Sequence, residues 1–225
     1  MKYEKLNDKI YVCTSDDHTF GTDALLLAEF SNHRKKDKVC DLGTGCGIIP
    51  LFMQREKPPQ IIYAVDIQEK AVKQLELGII KSQVESIVPI CADLKNLWSG
   101  APVGTLDLVT CNPPYKAANS GIESTITAHK IARHEILCNI DDVCLAAEKL
   151  LKFGGRLCIC NRPERLADVV SAMKNHNIEP KRLRFVAKSP ESPPWLFLIE
   201  GKKGSKPFMQ IMPQLYINNS MGFTT

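Results

Sequence analysis

Val39-Cys40-Asp41-Leu42-Gly43-Thr44-Gly45-Cys46-Gly47-Ile48-Ile49 is the stretch that decides the fold. An apolar run that reads as a buried strand ends in Asp41-Leu42, passes through three closely spaced glycines, and re-enters an apolar run that reads as a helix. Glycines at such a junction let the chain turn sharply and bring its backbone against a ligand with no Cβ in the way. The helix N-terminus behind them favours a carboxylate or another anionic group.

Outward from this segment, strand-like and helical stretches alternate. The strand Lys38 to Leu42 is followed by a helix from Ile48 to Gln54, and the strand Ile61 to Val65 by a helix from Glu69 to Ser82. Strands Ile87 to Cys91 and Leu106 to Cys111 come next, then a long helical stretch from about Ser124 to Leu151, then the strand Arg156 to Cys160. Upstream, Asp23 to Phe30 reads as a helix with Thr22 as its N-cap. Alternation of this kind predicts right-handed crossovers and a mainly parallel sheet covered on both faces. The strand-like runs Arg182 to Ala187 and Trp195 to Glu200 are joined only by Lys188-Ser189-Pro190-Glu191-Ser192-Pro193-Pro194, too short for a crossover helix, so they are expected to pair antiparallel. The prediction is a Rossmann-like α/β fold: a seven-stranded, mainly parallel sheet with one antiparallel strand and helices on both faces. One domain is expected, with an N-terminal extension and first helix over 1–37, a core over 38–200, and a C-terminal strand and tail over 201–225.

A chain of 225 residues with 44% hydrophobic and 24% charged residues suits one globular domain and excludes disorder or a fibrous repeat. No apolar run approaches the roughly 18 residues of a membrane-spanning helix, and the start lacks the apolar core of a signal peptide, so a cytoplasmic protein without a membrane partner is expected. Five of nine cysteines (Cys40, Cys91, Cys111, Cys158, Cys160) lie in strand-like runs and are expected to be reduced and buried. Cys158-x-Cys160 has no companion pair at zinc spacing, so no metal is expected. The net charge of +4 is uneven: Lys152 to Lys206 holds twelve Lys or Arg against five acids, a local +7. That third is either a face for a polyanion or a solvated surface, and charge alone leaves both open.

Asp66 closes the strand after the glycine turn, where a carboxylate can accept both ribose hydroxyls of a nucleoside cofactor. A nicotinamide fingerprint would want its third glycine at position 48, which is Ile48. Asn112-Pro113-Pro114-Tyr115 ends the strand Leu106 to Cys111 and is expected to face the same crevice, because ligands of open α/β sheets sit beyond the carboxyl ends of the strands. Its parts suit methylation of a conjugated amine, whose lone pair is delocalised until both hydrogens are held. The side-chain oxygen of Asn112 and the carbonyl of Pro113 are two such acceptors, the Pro-Pro pair stiffens the turn, and Tyr115 offers a flat face for an extruded base.

The G-x-G-x-G turn after Asp41 resembles the first motif of class I S-adenosylmethionine (SAM)-dependent methyltransferases. With Phe20-Gly21-Thr22-Asp23, Asp66, Asp93 and Asn112-Pro113-Pro114-Tyr115 in this order, the chain looks like the N6-adenine and related amino methyltransferases. The stretch Ala132-Arg133-His134-Glu135 and Gly154-Gly155 make it similar to bacterial enzymes that methylate an anticodon-loop adenine of a valine tRNA. The resemblance implies a SAM site built from Asp41, Gly43, Gly45, Gly47, Asp66 and Ile67. Asp93 and Leu94 would lie at the adenine, Phe20, Gly21 and Thr22 over the methionine end, and Asn112 against both cofactor and acceptor. It further implies Asn112, Pro113, Pro114 and Tyr115 as the catalytic group, Tyr115 and Arg133 as substrate contacts, RNA (tRNA above all) as partner, and a monomer. The same tetrapeptide chemistry also serves glutamine methylation and guanine amino methylation in ribosomal RNA. A separate N-terminal helical domain and a duplicated N-terminal half, common in those enzymes, find no room in about 37 residues before the first core strand. A SAM-binding RNA adaptor without turnover is the non-enzymatic alternative.

Overall fold

The computed structural model describes residues 1–15, 19–113 and 139–217. It opens with an antiparallel hairpin of β1 (Lys2–Lys5) and β2 (Tyr11–Thr14), followed by α1 (Thr22–Phe30). Then come β3 (Lys38–Leu42), α2 (Ile48–Met53), β4 (Ile61–Asp66), α3 (Glu69–Ser82), β5 (Ile87–Cys91) and β6 (Leu106–Cys111). The remainder is α4 (Ile140–Leu150), β7 (Leu151–Asn161), α5 (Leu166–Asn175), β8 (Ile178–Ala187), β9 (Leu196–Lys203), β10 (Gln210–Ile211) and β11 (Leu215–Tyr216).

The main sheet runs β10-β8-β9-β7-β6-β3-β4-β5, with β11 also on β8. Strands β3 to β7 are parallel, and β9 alone runs antiparallel, between β7 and β8. The antiparallel pairing expected of the last two long strands is therefore present. The sheet has nine strands where seven were expected, because the short β10 and β11 add to the free edge of β8. Apolar side chains pack on both sides. One cluster joins the sheet to α1, α2 and Leu75 of α3, and the other joins it to α4 and α5.

Three local expectations need correction. Thr22 is the first helical residue of α1 rather than its cap; Gly21 caps with extended backbone, and Asp23 Oδ1 accepts from the amide of Ala24 instead. The long helix expected from 124 to 151 does not run through Asn139. There an Asn139–Asp142 capping box starts α4, and Leu151 already belongs to β7. Residues 124–138 lie outside the described residues. None of the eight described cysteines is in a disulfide with another, but Cys91 is exposed, not buried. Among the described residues no helix is long and apolar enough to cross a membrane.

Candidate active site

The glycine turn sits at the carboxyl edge of the sheet, between β3 and α2. The amides of Gly43 and Thr44 donate to the carbonyl of Val65 on β4, at 2.9 and 3.0 Å. The Gly45 amide donates to Asp66 Oδ2 at 2.8 Å, and the Gln68 amide to Asp66 Oδ1 at 2.9 Å. Asp66 thus ties the turn to β4 while each oxygen keeps a further lone pair for a hydroxyl donor. The three glycines differ. Gly43 and Gly45, at φ +70° and +56°, have nothing within 4 Å of where a Cβ would stand, so they border open space. Gly47, at φ +81°, would put a Cβ 2.2 Å from Cδ1 of Leu75, so its role is to let α2 close on α3.

Asp41 lies beneath the turn, 1% exposed. Thr110 on β6 donates to its Oδ1 at 2.6 Å, while Oδ2 and the buried hydroxyl of Thr44 lack a hydrogen-bond partner. Burial pushes the Asp41 carboxyl up to about 7; the hydroxyl of Thr110 opposes the rise and the charge of Asp66 adds to it. A buried carboxylate with one oxygen unmatched, below a turn with open space at two glycines, fits a cationic ligand.

Because Leu42 pairs with Cys111, the next residues on the two strands, Gly43 and Asn112, stand side by side at the sheet edge. Asn112 and Pro113 are half-buried there. Cys111 pairs in turn with Ile159, so Asn112 also neighbours Cys160 of β7, whose thiol donates to Asn112 Oδ1 at 3.1 Å. Burial raises the Cys160 thiol well above its ordinary range, and the carboxylates of Asp23 and Asp41 add to this. The sequence reading expected Cys160 only as a buried strand thiol, not as a partner of Asn112. The signal for Cys160 was pairing register, which spacing along the chain does not carry.

Of the other expected cofactor residues, Phe20 packs against the α1-side core, Gly21 is exposed, and Thr22 opens α1 beside Asp23. Ile67 is 47% exposed directly after Asp66. Asp93 follows β5, accepts from the Lys95 amide at 3.0 Å and lies 3.9 Å from its ammonium, while Leu94 packs on the core. Ile67, Asp93 and Leu94 thus follow the carboxyl ends of β4 and β5, on the edge that carries the glycine turn. Pro114, Tyr115, Arg133 and His134 lie outside the described residues.

A model of the methyltransferase small domain matches residues 12–176, most of the chain and all of this edge up to β7. The chain belongs to that family. Among its relatives is the tRNA1(Val) (adenine(37)-N6)-methyltransferase of Parabacteroides distasonis, 26% identical over 180 residues, which are 80% of this chain and 75% of that protein. The enzyme of the same name from Aeromonas salmonicida is 29% identical over 151 residues, 67% of this chain and 61% of that protein. The chain thus spans between three fifths and three quarters of the length of these two relatives. Among solved structures, a predicted O-methyltransferase from Agrobacterium tumefaciens superposes with a TM-score of 0.65 at 18% identity, covering 89% of each chain. M. jannaschii TYW2 in complex with AdoMet does so with a TM-score of 0.56 at 13% identity, over 89% of this chain and 84% of that one. The fold is that of the Rossmann-like class I SAM-dependent methyltransferases, and the family the chain belongs to is one of methyltransferases.

The basic C-terminal third of the domain is not one face. Arg156 and Arg182 are spent internally on Glu200, Asp37 and the carbonyls of Phe30 and Ser31 at the end of α1. Lys152 pairs with Asp107 and Lys203 with Glu148 at the amino end of β7, the edge opposite the glycine turn. Only Arg162, Arg165, Arg184 and Lys188 follow or approach the carboxyl ends of β7 and β8, and Arg165 pairs with Asp168. The local excess of positive charge read from the sequence therefore resolves into structural, distal and site-proximal cations.

Proposed function

We propose that this SAM-dependent methyltransferase modifies the exocyclic N6 amine of an adenine in RNA, most specifically an anticodon-loop adenine of a tRNA. The observation that carries the reading is the adjacency of Gly43 and Asn112, fixed by the Leu42–Cys111 pairing, which brings the cofactor turn and the amine acceptor together. The names of the curated relatives support the tRNA adenine as acceptor.

In this reading Asp66 accepts ribose hydroxyls on the lone pairs its backbone donors leave free, and Asp93 accepts the cofactor's adenine amine. Gly43 and Gly45 let the backbone approach the methionine end, and the negative charge of Asp41 complements a cation there. The bound cofactor supplies an electrophilic methyl group. Asn112 Oδ1 and the Pro113 carbonyl each accept one N6 hydrogen, pulling the nitrogen toward tetrahedral geometry so that its lone pair can attack. One N–C bond forms as one S–C bond breaks, and the extra proton leaves to water. Fixed acceptors facing a nitrogen that becomes positive act by electrostatic preorganisation, with no general base needed. Pro114 is assigned to stiffening the tetrapeptide, and Tyr115 and Arg133 to stacking and phosphate contact.

The deciding experiment treats total tRNA from cells lacking the protein with the purified chain and isotope-labelled SAM, followed by mass spectrometry of the nucleosides. Labelled N6-methyladenosine is expected. Label in N2-methylguanosine, or only in protein glutamine, would replace this reading. Asn112→Ala is expected to cut the single-turnover rate by at least 100-fold with SAM affinity kept within about threefold, as for the loss of a preorganised transition-state contact.

A further inference from the structure

The carboxamide of Asn112 is a two-faced group. Its oxygen accepts and its NH2 donates, and the two ends are nearly the same size. A half-turn about the last side-chain bond would present two hydrogens to an amine that needs an acceptor. Something beside Asn112 must therefore hold the oxygen in place, and neither of the prolines that follow it carries an N–H to do so.

The neighbour on β7 can. Cys160 is fully buried, with its thiol 3.1 Å from Asn112 Oδ1. It stands there because Cys111 pairs with Ile159, so that residues 112 and 160 are next in register, and Leu198 of β9 flanks it on the far side. Burial, with the carboxylates of Asp23 and Asp41 nearby, keeps the sulfur protonated, so it carries a hydrogen to donate. An amide oxygen has two lone pairs, so one engaged by the thiol leaves the other for an amine N–H.

We propose that Cys160 is a positioning residue for methyl transfer: its S–H bond to Oδ1 fixes the Asn112 carboxamide with the oxygen in the acceptor orientation. This rests on the assignment of Asn112 as an amine acceptor. It concerns a residue outside the tetrapeptide, one strand away, that never touches the substrate.

The test uses the full chain, the same tRNA and labelled SAM in single-turnover measurements, with Cys160→Ala, Cys160→Val, Cys160→Ser and Asn112→Ala side by side. The alanine and valine variants lose the donor, and the expected result is a five- to tenfold lower rate with unchanged SAM affinity. Cys160→Ser restores a donor and should recover to within about threefold of wild type. Valine fills the space best, so a loss in Val that Ser relieves separates hydrogen bonding from packing. Equal rates in all three Cys160 variants, or losses that follow melting temperature and not the presence of a donor, overturn the proposal. The S–H stretching band gives a readout independent of turnover: the component lost in Cys160→Ala should lie at the frequency of a hydrogen-bonded thiol in wild type and shift to that of a free thiol in Asn112→Ala. Failure of the underlying reading looks different. An Asn112→Ala variant as fast as wild type, or a wild type that transfers nothing to tRNA, removes the acceptor assignment and this proposal with it.

Discussion

Asp41 and Glu200 occupy one transverse row of the sheet, Asp41–Thr110–Cys158–Glu200–Arg182, and their side chains share a face. Both are carboxyls less than a tenth exposed, yet they end in opposite states. Burial would raise Glu200, but Arg182 at 2.6 Å and Arg156 at 3.0 Å outweigh it and hold the group below the usual carboxylate range. Asp41 has a threonine hydroxyl and no cation, and burial takes it up to about 7. A carboxylate fully matched by the protein is part of the framework. One left half-matched beside open space is kept for something the protein binds. The glycines repeat the contrast, with Gly47 filled by Leu75 and Gly43 and Gly45 facing nothing.

The largest expected effects begin at the matched end. Glu200→Gln leaves the half-buried Arg156 and Arg182 around an uncharged group and is expected to cost about 3 kcal/mol of stability in urea denaturation. Because the Glu200 carboxyl is depressed, its contribution is present above its unfolded value and is lost as pH falls through the lower folded one. A loss below 1 kcal/mol would mean that the row does not distinguish the two acids as argued.

Gly47→Ala comes next. A Cβ 2.2 Å from Leu75 in left-handed backbone should cost about 3 kcal/mol, whereas Gly43→Ala, with backbone strain alone, should cost about 1 kcal/mol. The order reverses for cofactor: Gly43→Ala should weaken SAM binding, measured by calorimetry, more than its stability loss explains. Equal stability costs would remove the distinction between the packed and open glycines.

Asp41→Asn is the sharpest single comparison. A carboxyl raised in the folded state binds a proton that the unfolded chain releases, so wild-type stability is penalised as pH rises from about 4, the penalty reaching its full size above about 7. The substitution should raise stability at pH 8 by about 2 kcal/mol, below the roughly 4 kcal/mol that a shift of this size carries without relaxation. It should have no stabilising effect near pH 4. The wild-type affinity for cationic SAM should fall about fivefold from pH 8 to pH 6 as Asp41 takes up its proton, a dependence absent from Asp41→Asn. A variant less stable than wild type at pH 8, or with the same pH dependence of SAM binding, would break the comparison.

The strands and the crossover order could be read from the chain because apolar runs, glycines and short connections are local signals. The helix Glu69 to Ser82 and the antiparallel pairing of β8 with β9 came out as expected. The start of α4 did not, because helix periodicity in the sequence continues through Asn139, whereas its capping box with Asp142 makes it the N-cap at which α4 begins. The placement of Cys91 failed for a related reason: β5 is the last strand at its edge, so an apolar run is not enough to bury every residue on it. The short β10 and β11 pair only two residues each with β8, too little to leave a periodic pattern.

By itself the sequence determined the chemistry available: a glycine turn after an acid, a second acid one strand on, and an Asn-Pro-Pro-Tyr at a strand end. Each is a contiguous or regularly spaced pattern in which backbone freedom and side-chain type are fixed by residue identity. Only the tertiary structure decided which acid is satisfied and which is not, which glycine is packed and which is open, and which thiol meets Asn112. The acids and the thiol depend on register between strands far apart in sequence, where a shift of one residue would turn the side chain to the opposite face, and Gly47 depends on how closely α2 and α3 pack.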